Sequence, residues 1–442
     1  MRIQLNQATK RWLVIGAACA LAAAYVALAG AQFAAAFLGT RPDLASLRRA
    51  VWLEPGNAEY RFRVGRYLRL VDRDEQAAAS SYRAAVSLNP HEARYWFDLA
   101  ATYELLGNAD GRKDALTHAI GADPTTPEAA WQAANFYIVQ GDTARAMQEL
   151  RVVLANDPYL PAVALPLCWR IEPDIDALLQ DVIPPMASVY SPFIEYLVAH
   201  KEMAAANKVW GRLAALHEPV ERRYIFAYVR SLLLDKEVDQ AKMVWRQAAT
   251  LSDLSAYEPT SSNLVVNGSF SLDILNGGFD WFYDRSPQVG LLLDPTQAHL
   301  GSRSLLISFD AQTINDAGIR QVVPVEPNTG YEFSSYYRAQ DIEGAGGLRF
   351  AVQDVFDGTT FFASDDLEDV DFWKQITGDF ITGPQTKLLV IHVQRVPPGP
   401  IKGKLWIDGV QLAPKTVQKT APQKPPAPPA PASPAPSQPA QG

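Results

Sequence analysis

The sequence predicts a multidomain chain, α then β: an N-terminal transmembrane helix, an α-helical solenoid of repeats, and a C-terminal antiparallel β-sandwich of jelly-roll form. Three observations carry this. Residues 13–38 run without a charge. Pro55, Pro90, Pro124 and Pro158 recur at spacings of 35, 34 and 34 residues. From about Asn263 helical spacing gives way to short alternating runs bounded by Gly, Asn, Asp and Pro. A chain of 442 residues is also too long for one ordinary core.

The apolar run is long enough to cross a hydrocarbon layer of roughly 30 Å. Arg2, Lys10 and Arg11 precede it with no acidic residue among them. The positive-inside rule then leaves residues 1–12 in the cytoplasm and exports the rest, a single-pass inner-membrane topology. The rival is a signal peptide cleaved after Ala27-Leu28-Ala29. The run continues through Phe33 and Phe37 to Leu38, which favours the anchor. A lipoprotein at Cys19 would need a larger aliphatic where Gly16 stands. With Cys19 in this run, a disulfide to Cys168, the other of the two cysteines, is not expected.

Each of the spaced prolines follows an acidic residue or Asn (Glu54, Asn89, Asp123, Asp157), and the same residue types recur behind them. Phe62 and Trp96 occupy one place in the first helix, Tyr103 and Tyr137 another, and Gly107 and Gly141 the turn. Ala78 and Ala146 are small where the second helix packs; Tyr82, Leu116 and Leu150 follow, then Ala85, Ala119 and Val153. This is a helix–turn–helix unit that cannot bury its own apolar face, so neighbours must stack. The pattern resembles the tetratricopeptide repeat over residues 42–158. The first unit departs from it, with Arg66 and Arg69 where small and aromatic residues are usual. Ala206 and Trp210 recur as Ala241 and Trp245, so residues 159–251 are expected to hold degenerate hairpins, broken at 159–191 by five prolines. The resemblance implies a protein partner held along a groove. Its lining would be the polar first-helix positions Arg63, Arg66, Asp98, Gln132 and Asn135; the other reading is a spacer.

After an expected linker at 252–262, residues 263–412 read as the sandwich. Asn263-Leu264-Val265-Val266-Asn267-Gly268-Ser269-Phe270 opens it. His299-Leu300-Gly301-Ser302-Arg303-Ser304-Leu305, the hairpin around Ile319–Phe333, Trp373 with Phe380, and Leu405-Trp406-Ile407-Asp408-Gly409-Val410-Gln411-Leu412 follow in order. This order resembles carbohydrate-binding modules of families four and nine, a branch of the galactose-binding-like jelly rolls. The resemblance implies glycan binding. It also implies a structural calcium, held by an acid after the first Phe together with the Asp of the closing strand. Here Ser271 stands at the first place and only Asp408 remains, so no metal or other cofactor is expected. The usual Gly-Trp is replaced by Asn276-Gly277-Gly278-Phe279-Asp280-Trp281-Phe282-Tyr283. Sugar rings stack on aromatic faces while polar neighbours bond the hydroxyls, which makes Trp281, Tyr283, Asp284 and Arg285 the candidate glycan site. The competing reading places Trp281 in the core. The acidic run Asp365–Asp371 lacks the pattern of a calcium loop and reads as solvated.

The remaining stretch, 413–442, is rich in Pro and Ala and is expected to be extended and disordered. A net charge of -8 gives no reason to expect nucleic-acid binding, which needs an excess of Lys and Arg. No nucleophile elbow, phosphate loop, redox Cys pair or His ligand spacing is present, so no catalytic residue is assigned. The sequence therefore reads as a non-enzymatic, membrane-anchored scaffold of the bacterial envelope, touching a glycan or polysaccharide during its synthesis or export. The alternative is a pure protein-interaction module without sugar binding.

Overall fold

The structure is a computed structural model, and it describes residues 8–157, 159, 161–284, 286–344 and 347–415. Residues 1–7 and all but the first three residues of the Pro/Ala-rich stretch lie outside the described residues. The chain divides into two compact units, Met1–Val220 and Glu221–Gly442.

The first unit begins with α1 (Ala8–Gly39), among the described residues the one helix long and apolar enough to cross a membrane. The short α2 (Leu44–Leu53) packs against its end, and antiparallel pairs follow: α3 (Ala58–Tyr67) and α4 (Glu75–Leu88), α5 (Ala93–Leu105) and α6 (Ala109–Ala122), then α7 (Pro127–Gln140) and α8 (Thr143–Asn156). The repeat positions read from sequence form the stacking core: Phe62, Ala78, Tyr82, Ala85 and Leu116 are buried in one cluster. Side-chain caps start the helices, Asp74 on Ala77, Asn108 on Gly111 and Asp142 on Arg145.

The turn between paired helices needs one left-handed residue. Gly107 and Gly141 supply it at φ 66° and 75°. One period earlier Arg73 takes it at φ 54°, after α3 has run on into a π-helical turn, Leu68–Asp72. This is where the first unit departs from the repeat, and the departure is a widened turn rather than a missing one. The prolines break the array into α9 (Pro161–Ile171) and the short α10 (Ile175–Asp181), before α11 (Ala187–Ala199) and α12 (Met203–Leu216) restore a pair.

The second unit starts with one more pair, α13 (Arg222–Leu234) and α14 (Val238–Leu251), and continues into the β domain. Its strands are β1 (Phe282–Tyr283), β2 (Val289–Asp294), β3 (Ser304–Pro324), β4 (Gly330–Glu343), β5 (Gly347–Asp354), β6 (Thr360–Ala363), β7 (Val370–Ile381) and β8 (Leu388–Pro414). Every pairing is antiparallel, in the order β1-β3-β8-β4-β7, with β2 on β3 and β6-β5 on β8. The long strands β3 and β8 bend at register shifts near Asp310 and Asp316, so each serves two layers. One layer is β2, early β3, late β8, β4 and β7. The other is β1, late β3, early β8, β5 and β6. Their inner faces meet: Phe333 of β4 lies 5.5 Å from Phe350 of β5, two strands that are not paired. Leu305, Ile307, Leu389, Ile391 and Leu405 complete this core.

The join between the last hairpin and the sandwich is tight. Trp245 of α14 is buried against Phe279 at 5.8 Å between ring centroids, and its indole N–H donates to the Tyr257 carbonyl at 3.1 Å. Phe226 of α13 lies 6.1 Å from Trp245. Lys242 pairs with Glu326 at 3.0 Å, and Lys387 with Asp239 at 2.7 Å. Residues 252–262, expected as an exposed linker, include a 3-10 turn at Ser255–Tyr257 with Leu254 and Tyr257 buried. The division at Val220/Glu221 thus falls one hairpin earlier than the composition of 252–262 indicates, because α14 and the sandwich share an aromatic core.

Candidate functional site

In antiparallel sheets, directly opposed residues share a face. On the outer side of the β1-β3-β8-β5-β6 layer, Phe282 opposes Arg320, Arg320 opposes His392, and His392 opposes Ala351. Val322, Val390 and Gln353 form the next row. These outward positions carry three neighbouring polar groups. His392 Nδ1 lies 2.5 Å from Asp316 Oδ2, and its Nε2 lies 3.2 Å from Gln353 Oε1. Arg320 donates to Asp284 at 2.5 Å, and Arg349 donates to Asp366 at 2.5 Å.

Two clefts adjoin this face and share Tyr283 and Asp284. One, of about 580 Å³, has Phe282, Arg320 and Val322 on its floor, Phe356 at one end, and Arg230 and Leu234 of α13 as a wall. The other, of about 760 Å³, runs from Ile274 past Ser286 and Pro287 to Leu291 and Leu293 of β2. Aromatic and aliphatic floor with guanidinium, carboxylate and amide groups at the edge is the chemistry that holds a polyhydroxylated ring.

The structure separates the residues expected to act together. Tyr283 and Asp284 line the clefts, Tyr283 from the inner side of the layer, where it opposes Ile319 and packs against the sandwich core. Trp281 does not: it is 3% exposed, its indole N–H donates to the Asn267 carbonyl at 3.2 Å, and its ring lies 5.1 Å from Phe270. This corrects its expected place on the surface. Strand side chains alternate, so the residue facing outward beside Arg320 is Phe282. Arg285 lies outside the described residues. Arg320, His392, Asp316 and Gln353 were not singled out from sequence. Arg320 and His392 each stand in an otherwise largely apolar run, Ile319–Val323 and Leu389–Val393, and a polar residue there looks like any solvated strand position.

In the solenoid, Arg66 and Asp98 approach to 4.0 Å, and Arg69 donates to Asp98 at 3.2 Å. Arg63 instead binds within the array, donating to Glu59 at 2.8 Å and to the Gly39 carbonyl at 2.9 Å. Asn135 donates to the Trp131 carbonyl of its own helix at 2.8 Å, while Gln132 is exposed.

The place implied for calcium does not fit the ion. Asp408 is fully buried, and its Oδ2 accepts the N–H groups of His299 and Leu300 at 2.7 and 2.8 Å. Its other oxygen accepts from Gly409 N–H at 2.7 Å. Burial raises the Asp408 pKa, and these N–H groups oppose the rise. The Phe270 and Ser271 carbonyls accept from the Arg303 guanidinium, which also pairs with Asp273 at 2.8 Å. A cation is therefore already built into the loop. Thermal melts with and without a chelator should superimpose; a fall of several degrees on chelation would restore the metal.

Residues 262–399 match the family model described as a carbohydrate binding domain. Comparison with curated proteins finds no match. Among solved structures, one described as "CBM4 structure and function" is similar at 16% identity and TM-score 0.27, over 34% of this chain and 99% of that one. The CBM22-1 xylan-binding domain of Paenibacillus barcinonensis Xyn10C is similar at 19% identity and TM-score 0.24, over 33% and 91%. Pseudomonas aeruginosa pilF is similar at 15% identity and TM-score 0.26, over 51% and 93%. The chain carries helical hairpins repeating at the tetratricopeptide period, followed by a β-sandwich that holds the stretch matching a carbohydrate binding domain.

Proposed function

We propose that this protein is a non-enzymatic scaffold of the bacterial envelope, anchored by α1 in the inner membrane with its N-terminus inside. The sandwich binds a glycan or polysaccharide in the clefts around Tyr283, Asp284 and Arg320, and the solenoid holds a protein partner. Such a molecule suits a machine that makes or exports polysaccharide. The observation that carries the reading is the polar and aromatic outer face with its two clefts, inside the stretch that matches a carbohydrate binding domain.

The test is glycan retention by the full-length chain in a detergent without a sugar headgroup, with Arg320→Ala as the variant. Charged hydrogen bonds contribute about 1.5–3 kcal/mol, so affinity should fall roughly 10- to 100-fold. The Arg320–Asp284 pair is largely exposed, so melting should hardly move. A wild type that retains no envelope glycan would leave the protein-interaction module standing instead.

A further inference from the structure

α1 changes character along its length. Every side chain from residue 11 to 30 is exposed. From there Ala31, Ala34, Ala35 and Leu38, at the spacing of one helix face, are covered. Their cover is α2 and the start of α3: Ala35 and Leu38 cluster with Ala50, Val51, Leu53 and Tyr60. The bare stretch rises about 30 Å, the thickness of a hydrocarbon layer. The last turns of α1 thus belong to the solenoid, and no loose linker separates it from the anchor.

The turn at 40–43 sends α2 back along α1, toward the bilayer. At about 1.5 Å per residue, Trp52 draws level with the turn of α1 around Ala31, where the bare stretch ends. Trp52 is 80% exposed, and Phe33 is 76% exposed. Arg48 and Arg49 are exposed on the same short helix, and neither forms an ion pair among the described residues. Asp43, the acid nearest Arg49 in sequence before α2, caps that helix through Ser46 N–H at 2.8 Å. An indole beside two exposed guanidinium groups suits a headgroup layer, where amphipathic aromatics settle and cations meet lipid phosphates.

We propose that the C-terminal end of α2 meets the bilayer surface, with Trp52 seated among the headgroups and Arg48 and Arg49 holding anionic phospholipid. This rests on the reading of α1 as a membrane span, and the experiment separates the two. Spin labels are placed by Gly16→Cys, Gly56→Cys or Thr117→Cys in a Cys19→Ala, Cys168→Ala background of the full chain. Gly56 lies in the turn after α2, where an added side chain meets open space. The protein is inserted into phosphatidylcholine vesicles with or without phosphatidylglycerol, and each label is tested for access to oxygen and to a water-soluble nickel chelate.

The label at 16 should meet oxygen and the label at 117 nickel. With phosphatidylglycerol present, nickel access at 56 should fall roughly threefold below that at 117. Arg48→Glu with Arg49→Glu, or Trp52→Ala, should return it to water. A label at 56 as wet as that at 117, while 16 sits in hydrocarbon, overturns the proposal alone. A wet label at 16 overturns the span beneath it. Shielding at 56 that ignores both lipid charge and the Arg→Glu changes overturns the headgroup assignment.

Discussion

Gly278→Ala is expected to destabilise the second unit by roughly 2–5 kcal/mol, combining left-handed strain with overpacking. Gly278 sits at φ 65°, and a Cβ there would lie 1.8 Å from the Trp245 ring. At Gly277 the added atom would lie 2.2 Å from the Phe226 ring. Neither ring can yield easily, because Trp245 is buried between Phe226 and Phe279. A chain begun at residue 255 should show the complementary defect: without α13 and α14, Phe279 loses its cover, and melting should fall well below that of a chain begun at 221. Equal melting of the two would show that the hairpin is a neighbour and no part of the core. Circular dichroism melts decide both points.

The second large effect concerns Asp280. It is fully buried; one carboxylate oxygen accepts from Leu275 N–H at 2.7 Å, and the other has no partner among the described residues. Burial pushes its pKa up to about 7, against the lowering pull of the Leu275 N–H. In the unfolded chain an aspartate titrates near 3.9, so the folded state binds the extra proton between about pH 4 and 7. Stability is therefore greatest below that window and falls as pH rises through it, by up to about 4 kcal/mol. Asp280→Asn keeps the acceptor for Leu275 and removes the charge. It should melt several degrees above wild type at pH 8 and nearly level with it at pH 4. A constant difference across that range would mean that Asp280 does not titrate in the folded protein.

Much of the architecture was legible because it follows from local rules. A unit that cannot bury its own apolar face must repeat, and Phe62, Tyr82 and Ala85 mark that face at a fixed period. The left-handed turn was legible where glycine fills it, at Gly107 and Gly141. It was hidden at Arg73, Lys201 and Lys236, where the surrounding helices impose the conformation on a residue that does not advertise it.

The glycan site was legible only in part. The segment 276–284 stood out for its aromatics, yet two of them serve packing: Phe279 meets a helix more than thirty positions earlier, and Trp281 enters the sandwich core. A local pattern cannot report such a partner. His392 and Gln353 were invisible for the opposite reason. Each is an ordinary polar residue on its own strand and becomes part of a network only when β8 and β5 pair.

The most direct measurement is hydrogen–deuterium exchange on the full-length chain, in a detergent without a sugar headgroup, with and without a retained envelope glycan. The account predicts slowed exchange in the segments bearing Tyr283, Asp284, Arg320, Gln353 and His392, with β4 and β7 of the opposite layer unchanged. Protection confined to that opposite layer, around His299, Tyr336 and Trp373, whose rings already cluster within 4.0 and 5.6 Å, would contradict it.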